Sequence, residues 1–375
     1  MAFFSGLFKR EDAHALGIDI GSSAIKIVEL RKKNGQAVLE TYGELALGPY
    51  AGLAVGQAVQ LPAEKLAAAL VDLMKEKEVA VTTRRSALSI PFASSLMAVV
   101  EMPDVGQAKL ATMIPLEARK YIPVPIQEVM LDWTVIPKAE SREGAPVQEP
   151  DMLGAPAVAT ALPKTDVLIV AIHNDTLAKY QDIVTRAGLE AGFFEIEVFS
   201  TMRSVLDDGL KPVLVMDMGA ASTKLYIVER GIVRVSHTVN RGAQDVSASI
   251  AHSLGITAER AEVVKREVGL MGPDAAVTDV STLVLDSIFS EASATLLSFE
   301  KKYNRPVAKA ILVGGGASLK GLIELAKESL RIEVELGLPF NKVSAPAFLE
   351  NILRETGPEF AVAIGLALRK LSEEN

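Results

Sequence analysis

Two stretches of the chain, 17–30 (GIDIGSSAIKIVEL) and 215–231 (VMDMGAASTKLYIVERG), carry the same succession of residue types. Each is an apolar strand ending in Asp-x-Gly, then small and hydroxyl-bearing residues, a lysine, and a second apolar strand. Ile18 and Ile20 flank Asp19, so the alternation delivers a carboxylate at a strand end. Gly21 lets the backbone turn tightly and approach an anion, because no side chain intervenes. The N–H and hydroxyl groups of Ser22 and Ser23 can donate to phosphate oxygens, and Lys26 supplies a positive charge. Asp217, Gly219, Ser222, Thr223 and Lys224 repeat the set. Magnesium is a hard cation that takes one or two carboxylates beside phosphate oxygens and water. Asp19 and Asp217 suit that role, mostly through water. Either stretch alone reads equally well as a β-hairpin with an Asp-Gly turn. The two together point to a polyphosphate gripped from two sides.

A third element adds to the pair. Residues 308–322 (AKAILVGGGASLKGL) read as a buried strand, Ile311 to Val313, running into Gly314, Gly315 and Gly316 and then into a helix with Ser318 at its entry. Backbone N–H groups at such a turn can seat a phosphate or the flat face of a nucleoside. The spacing is neither GxGxxG nor a Walker pattern.

With these three elements the chain resembles the actin, sugar kinase and heat-shock chaperone ATPase superfamily, and more closely the bacterial branch that holds the FtsA and PilM families. The resemblance implies an α/β, two-lobed actin-like (ribonuclease H-like) ATPase fold with an FtsA-type inserted subdomain, and it covers all but the first dozen residues. It implies ATP and Mg²⁺ as cofactors. In 258–269 (AERAEVVKREVG) it carries Glu262 and Lys265 to the ribose and adenine edge. The stretch 117–136 (EARKYIPVPIQEVMLDWTVI) and the closing stretch 357–369 (GPEFAVAIGLALR) resemble the type IV pilus assembly PilM family in particular. FtsA chains carry a membrane-targeting helix past this point, whereas here only 371–375 follow, which favours the PilM family. That resemblance implies a cytoplasmic ATP-binding scaffold whose inserted subdomain, 86–164, captures the cytoplasmic N-terminal tail of PilN. The pilus assembly ATPases are further candidate partners, and the inner membrane is reached through partners. Two alternatives stay open: an FtsA-like polymerising ATPase, or a small-molecule kinase, which would need a carboxylate base facing a sugar pocket.

Hydrolysis needs a group that positions or deprotonates water. In the chaperone ATPases a Glu at the start of a hinge helix does this, and the matching stretch 195–206 (EIEVFSTMRSVL) offers Glu197, with Glu195 as a competitor in shifted register. Phe199 departs from the family's small residues there, so ATP binding with at most slow hydrolysis is the expectation. A carboxylate at a helix start is also favoured by the helix dipole alone.

The elements that must hold these residues read as follows. The first lobe is expected from 13–85, 165–210 and 357–375. It holds hairpin strands, a helix over 62–78 with Leu66, Ala69, Leu70 and Leu73 on one face, and a strand over 167–172 that resumes the parent sheet. The inserted α/β subdomain, 86–164, opens with the strand ALSIPF, continues through a second strand and a helix over 107–120, and ends in a flexible loop over 138–164 rich in Ala, Pro, Glu and Gly. The second lobe is expected from 211–256 and 306–356, with a helical cap over 257–305. A duplicated α/β unit explains why each half contributes an Asp. The tail 1–12 places Phe3, Phe4, Leu7 and Phe8 on one helical face, suited to a membrane interface or to packing.

Composition narrows the classes. A net charge of −8 argues against sequence-independent nucleic-acid binding, which needs a basic face. Hydrophobic residues make up 49% with only 5% aromatic, so the cores are built from Ala, Val, Leu and Ile. The chain has no cysteine, which fits a reducing compartment. His14, His173, His237 and His252 lack metal-ligand spacing. No apolar run reaches the ~20 residues of a bilayer span, and the N-terminus lacks a signal-peptide pattern. The expected place is the cytoplasm, at the inner face of the membrane.

Overall fold

The computed structural model describes residues 13–136, 163–207, 209–272 and 274–373. The tail 1–12 and nearly all of the loop expected over 138–164 lie outside them; Lys164 already opens a strand. The chain divides into two units, one built from residues up to Ala93 and from Thr176 onward, the other from Ser94–Asp175.

In chain order the elements begin with β1 (His14–Ile20), β2 (Ala24–Lys33), β3 (Gln36–Ala46), α1 (Ala63–Lys75) and β4 (Arg85–Ile90). Then come β5 (Ser95–Pro103), α2 (Gln107–Ala118), β6 (Val129–Ile136) and β7 (Lys164–His173). The chain returns through α3 (Asn174–Arg186), β8 (Glu190–Ile196) and α4 (Glu197–Val205). A second half follows with β9 (Val213–Met218), β10 (Thr223–Glu229), β11 (Ile232–Val239), α5 (Ala243–Leu254), α6 (Ala258–Val268), α7 (Ala275–Tyr303), β12 (Lys309–Val313), α8 (Leu322–Leu330) and β13 (Glu333–Leu336). It closes with α9 (Glu350–Thr356) and α10 (Ala361–Ser372).

The larger unit contains two five-stranded sheets of one plan. Their orders are β3-β2-β1-β4-β8 and β11-β10-β9-β12-β13. In each, the central strand pairs antiparallel with its hairpin partner on one side and parallel with a later strand on the other. That arrangement pairs both edges of the central strand, and helices packed on the sheets bury its faces, which explains the near-continuous apolar runs of β1 and β9. Helices α5, α6, α7 and α8 bury the second sheet, with Phe289 and Phe299 of α7 in its core. Helix α7 is long and apolar enough to cross a membrane by length and composition. Its apolar side is instead part of this core.

Two helices carry the chain between the sheets or close it back: α4 leaves β8 for β9, and α10 packs on β1, β2 and β4. They cross each other at Gly365. A Cβ there would lie 1.9 Å from the Ser200 carbonyl oxygen, so the crossing tolerates no side chain.

Two expectations about the insertion are corrected. The strand at 167–172 does not resume the parent sheet: as β7 it is the middle of a separate sheet, β5-β7-β6, antiparallel to both neighbours. Its apolar run marks a central strand but cannot say of which sheet. The strand ALSIPF, expected inside the insertion, is β4 and lies between β1 and β8, parallel to both. The parent sheet's far strand is β8, whose EAGFFEI is too polar at one end to advertise burial. The inserted unit has a core of its own, built from Val100, Met102, Leu110, Ile114, Val167 and Ile169 among others.

Candidate functional site

The site begins at the two hairpin turns, which are built alike. Gly21 N–H donates to the Ala24 carbonyl at 3.0 Å, and Gly219 N–H to the Ser222 carbonyl at 3.0 Å. In both hairpins the aspartate stands opposite the lysine across the strands, Asp19 against Lys26 and Asp217 against Lys224. A cavity of about 380 Å³ lies between the turns, within the range of small-molecule sites. Its walls include Asp19, Gly21, Ser22, Ser23 and Lys26 from the first hairpin and Asp217, Gly219 and Lys224 from the second. They also include Glu197, Glu262, Lys265, Gly314, Gly315, Gly316 and Ser318.

Two residues expected at the site lie outside that wall. Thr223 is buried and donates its hydroxyl to the Arg241 carbonyl at 3.0 Å. Ser222 stands at the turn, where its backbone carbonyl accepts the Gly219 N–H as that of Ala24 accepts the Gly21 N–H in the first hairpin. The strand alternation that points Lys224 at the cavity necessarily points Thr223 away.

Around Asp19 the geometry is simple. Its Oδ1 accepts from Ser89 Oγ of β4 at 2.8 Å. Loss of solvent pushes this carboxyl above its ordinary range, against the pull of Lys26. Asp217 is buried, with its Oδ2 3.1 Å from Lys224 Nζ. The Lys224 ammonium also lies 3.0 Å from Glu197 Oε2. Burial works against that ammonium, but Asp217 and Glu197 outweigh it and hold its pKa well above the usual lysine value. Glu197 opens α4, and its Oε1 accepts the Phe92 N–H at 2.6 Å. Burial raises its pKa despite Lys224.

The competitor, Glu195, points elsewhere. It accepts from Ser200 Oγ at 2.5 Å, from both terminal nitrogens of Arg203 at 2.8 Å, and from Arg369 at 2.6 Å. Burial would raise its pKa, but these donors, led by Arg203, hold it below the ordinary value. The structure thus assigns Glu195 to an ion-pair network and Glu197 to the cavity.

On the far wall, the Glu262 carboxylate is surrounded by Lys265 at 2.6 Å, Arg266 at 2.8 Å and Ser247 at 2.7 Å. Those donors, Lys265 first among the charges, keep its pKa low against the effect of burial, while burial lowers that of Lys265. Lys26 is similarly engaged, 3.4 Å from Glu44 and 3.9 Å from Glu359. The glycine run closes the floor: Gly314 has φ +82°, and a Cβ there would fall 2.5 Å from Asp217 Oδ1. This is a place where only a bare backbone lets the turn meet the carboxylate.

Sequence reasoning missed Ser89, Glu44, Glu359 and Arg266. Glu359 had a signal, an acidic residue just before a helix, and Arg266 adjoins the expected Lys265. Ser89 and Glu44 reach the site only through sheet register, which the sequence does not print.

The wall is chemically suited to a nucleoside polyphosphate: turn backbone at two hairpins, two lysines, and a glycine floor. Among the described residues no group of three or more Asp, Glu, His or Cys could hold a metal by itself. Two carboxylates, Asp19 and Asp217, are what a magnesium ion shared with phosphates needs.

Comparison with known proteins bears on this arrangement. The family model described as type IV pilus assembly protein PilM matches residues 17–371. The solved PilM-PilN type IV pilus biogenesis complex matches with a TM-score of 0.77 and 25% identity, over 95% of this chain and 98% of that one. MreB 5 of Spiroplasma citri, solved bound to AMPPNP, shares the fold at TM-score 0.52 and 11% identity, over 97% of this chain and 98% of that one. The cell division protein FtsA of Streptococcus pneumoniae is 24% identical over 371 residues, 90% of this chain and 78% of its own length. The two-lobed actin-like ATPase fold expected from the sequence is the fold found.

Proposed function

The chain belongs to the type IV pilus assembly protein PilM family, and from that premise we propose that it is an ATP-binding scaffold at the cytoplasmic face of the pilus assembly platform. The observation that carries the nucleotide reading is the cavity itself, lined by both Asp-x-Gly hairpins and the glycine turn. The N–H and hydroxyl groups of Ser22 and Ser23, the N–H groups beside Gly219, and Lys26 would hold the phosphates, while Lys224 stays with Glu197 and Asp217. Glu262, Lys265 and Ser318 would face the nucleoside. Asp19 and Asp217 would hold Mg²⁺, mostly through water. When bound, the magnesium nucleotide supplies charge that pulls both hairpins inward, so lobe angle would follow nucleotide state.

The inserted unit, Ser94–Asp175, is proposed as the dock for the cytoplasmic N-terminal tail of a PilN partner, and the pilus assembly ATPases as further partners. What supports this is the likeness to the PilM-PilN complex over 95% of the chain. Membrane attachment would come through that partner. The test is a thermal melt with ATP, with and without Mg²⁺, and capture of a PilN-tail peptide. Saturation at a hundred times Kd stabilises by about 2.7 kcal/mol, a readily seen shift. No shift with any nucleotide would sink the nucleotide part, and no capture would sink the docking part.

A further inference from the structure

The two hairpins are alike, but their lysines are not placed alike. Lys26 stands between Glu44 and Glu359, at 3.4 and 3.9 Å, all three in the cavity wall. Lys224 instead sits inside a carboxylate pair, 3.0 Å from Glu197 Oε2 and 3.1 Å from Asp217 Oδ2. The other oxygen of Glu197 accepts the Phe92 N–H at 2.6 Å. Both oxygens of this buried side chain are therefore engaged, one by an ammonium and one by fixed backbone.

In hydrolysis a water oxygen bonds to the terminal phosphorus while the bridging phosphorus–oxygen bond breaks, and the water's proton passes to a base. Glu197 is the carboxylate in the cavity wall that opens a helix, where such a base would stand. Bonded to Lys224, its oxygen is aimed at the ammonium rather than at water, and is a poorer proton acceptor. We infer that Lys224 is a positioning residue that restrains Glu197, so that the cleft retains nucleotide and turns it over slowly. The inference rests on the reading of the cleft as a nucleotide site. It adds to that reading a named brake, set by the partner chosen for one of two equivalent lysines.

The experiment compares the full chain with K224Q and with the double variant K224Q/E197Q. Single-turnover ATP hydrolysis and binding of a fluorescent ATP analogue are measured on all three. K224Q should hydrolyse at least about tenfold faster, within the reach of one freed general base, while still binding the analogue. The double variant should lose that gain. A K224Q protein that binds the analogue more than about tenfold worse and gains no rate overturns the inference, because Lys224 is then a phosphate ligand. A gain that survives in the double variant also overturns it.

A second readout needs no nucleotide. Freed of Lys224, the Glu197–Asp217 pair should take up Mn²⁺, seen as loss of the free-ion signal in electron paramagnetic resonance, where the unaltered chain does not. If the unaltered chain binds no nucleotide, the reading of the cleft fails. The Mn²⁺ measurement then decides the Lys224 contact, and no gain in uptake overturns it. K224T, which admits water to the two carboxylates, replaces K224Q should the latter not fold. A chain that folds with neither has a purely structural lysine, and the inference is overturned.

Discussion

Substituting Gly365 by alanine tests the crossing of α4 and α10 with an outcome whose sign decides. In an isolated helix, Gly→Ala is favourable by about 1 kcal/mol. Here the added Cβ would stand 1.9 Å from the Ser200 oxygen, 2.5 Å from its carbonyl carbon and 2.9 Å from its Cα. Real Cβ contacts essentially never fall under 3.0 Å, so the two helices must separate by at least about 1 Å. The obstacle is backbone, and no side chain can swing aside. Overpacking of this kind costs roughly 1–3 kcal/mol, and a helix-to-helix backbone clash belongs at the upper end. The propensity gain offsets part, leaving a net loss of about 2 kcal/mol. Separation also strains the bond from Arg203 to the Gly365 carbonyl, 3.0 Å, and shifts the start of α4, where Glu197 stands. The assay is the melting temperature of the larger unit, which should fall by several degrees, with weaker nucleotide binding alongside. A G365A protein as stable as the parent or more so would refute the close crossing, because propensity would then be acting alone.

Three further outcomes are expected. Glu195→Gln should cost about 2 kcal/mol near pH 7, the buried-pair figure reduced because Arg203 and Arg369 are 32% and 39% exposed. The Glu195 pKa is depressed in the fold, so its contribution is complete above the unfolded value near 4.5 and is lost as pH falls through the folded value. The stability gap between parent and variant should therefore narrow below that pH, and a gap constant from pH 7 to pH 3 would count against the network. Asp217→Ala should abolish the Mg²⁺-dependent thermal shift by ATP while the fold persists; an undiminished shift would remove Asp217 from the site. Ser222 stands in its hairpin where Ala24 stands in the first, one residue past the place of Ser23, and Ser23 lines the cavity while Ser222 does not. Ser23→Ala should weaken ATP binding by about 1 kcal/mol and Ser222→Ala should not, as titration calorimetry would show; the reverse order would contradict the cavity's lining.

Much of the site was legible because its signals are local. Asp19, Lys26, Asp217, Lys224 and the glycine run each follow from a strand ending in a turn, and strand and turn are written within a dozen residues. The choice between Glu195 and Glu197 was not legible, because Arg369 lies 174 residues away from its partner. The insertion's boundaries failed for a related reason. A run such as VLIVAI announces a buried strand, but which sheet receives it depends on partners at Ser95–Pro103 and Val129–Ile136. The Thr223 assignment failed on alternation: a motif carried over as a block ignores that successive strand residues face opposite ways.

Under the proposed reading of the cleft, the placement of the two lysines offers nucleotide binding a route to the lobes. Lys224 is held by Glu197, the first residue of α4, and Lys26 by Glu359, just ahead of α10. These are the two helices that cross at Gly365, one carrying the chain out of the first sheet and the other bringing it back. Under the proposed reading, a phosphate that drew the Lys26 ammonium would compete with Glu359 at the head of α10, while Lys224 keeps its hold on the head of α4. The interactions lost and gained would then fall at the helix starts and not on the sheets, whose paired strands resist deformation. Because α4 and α10 meet backbone to backbone, neither can shift by an ångström without moving the other. A charge exchanged at the first hairpin would in this way be felt at both helix starts, as the proposed coupling of occupancy to lobe angle requires.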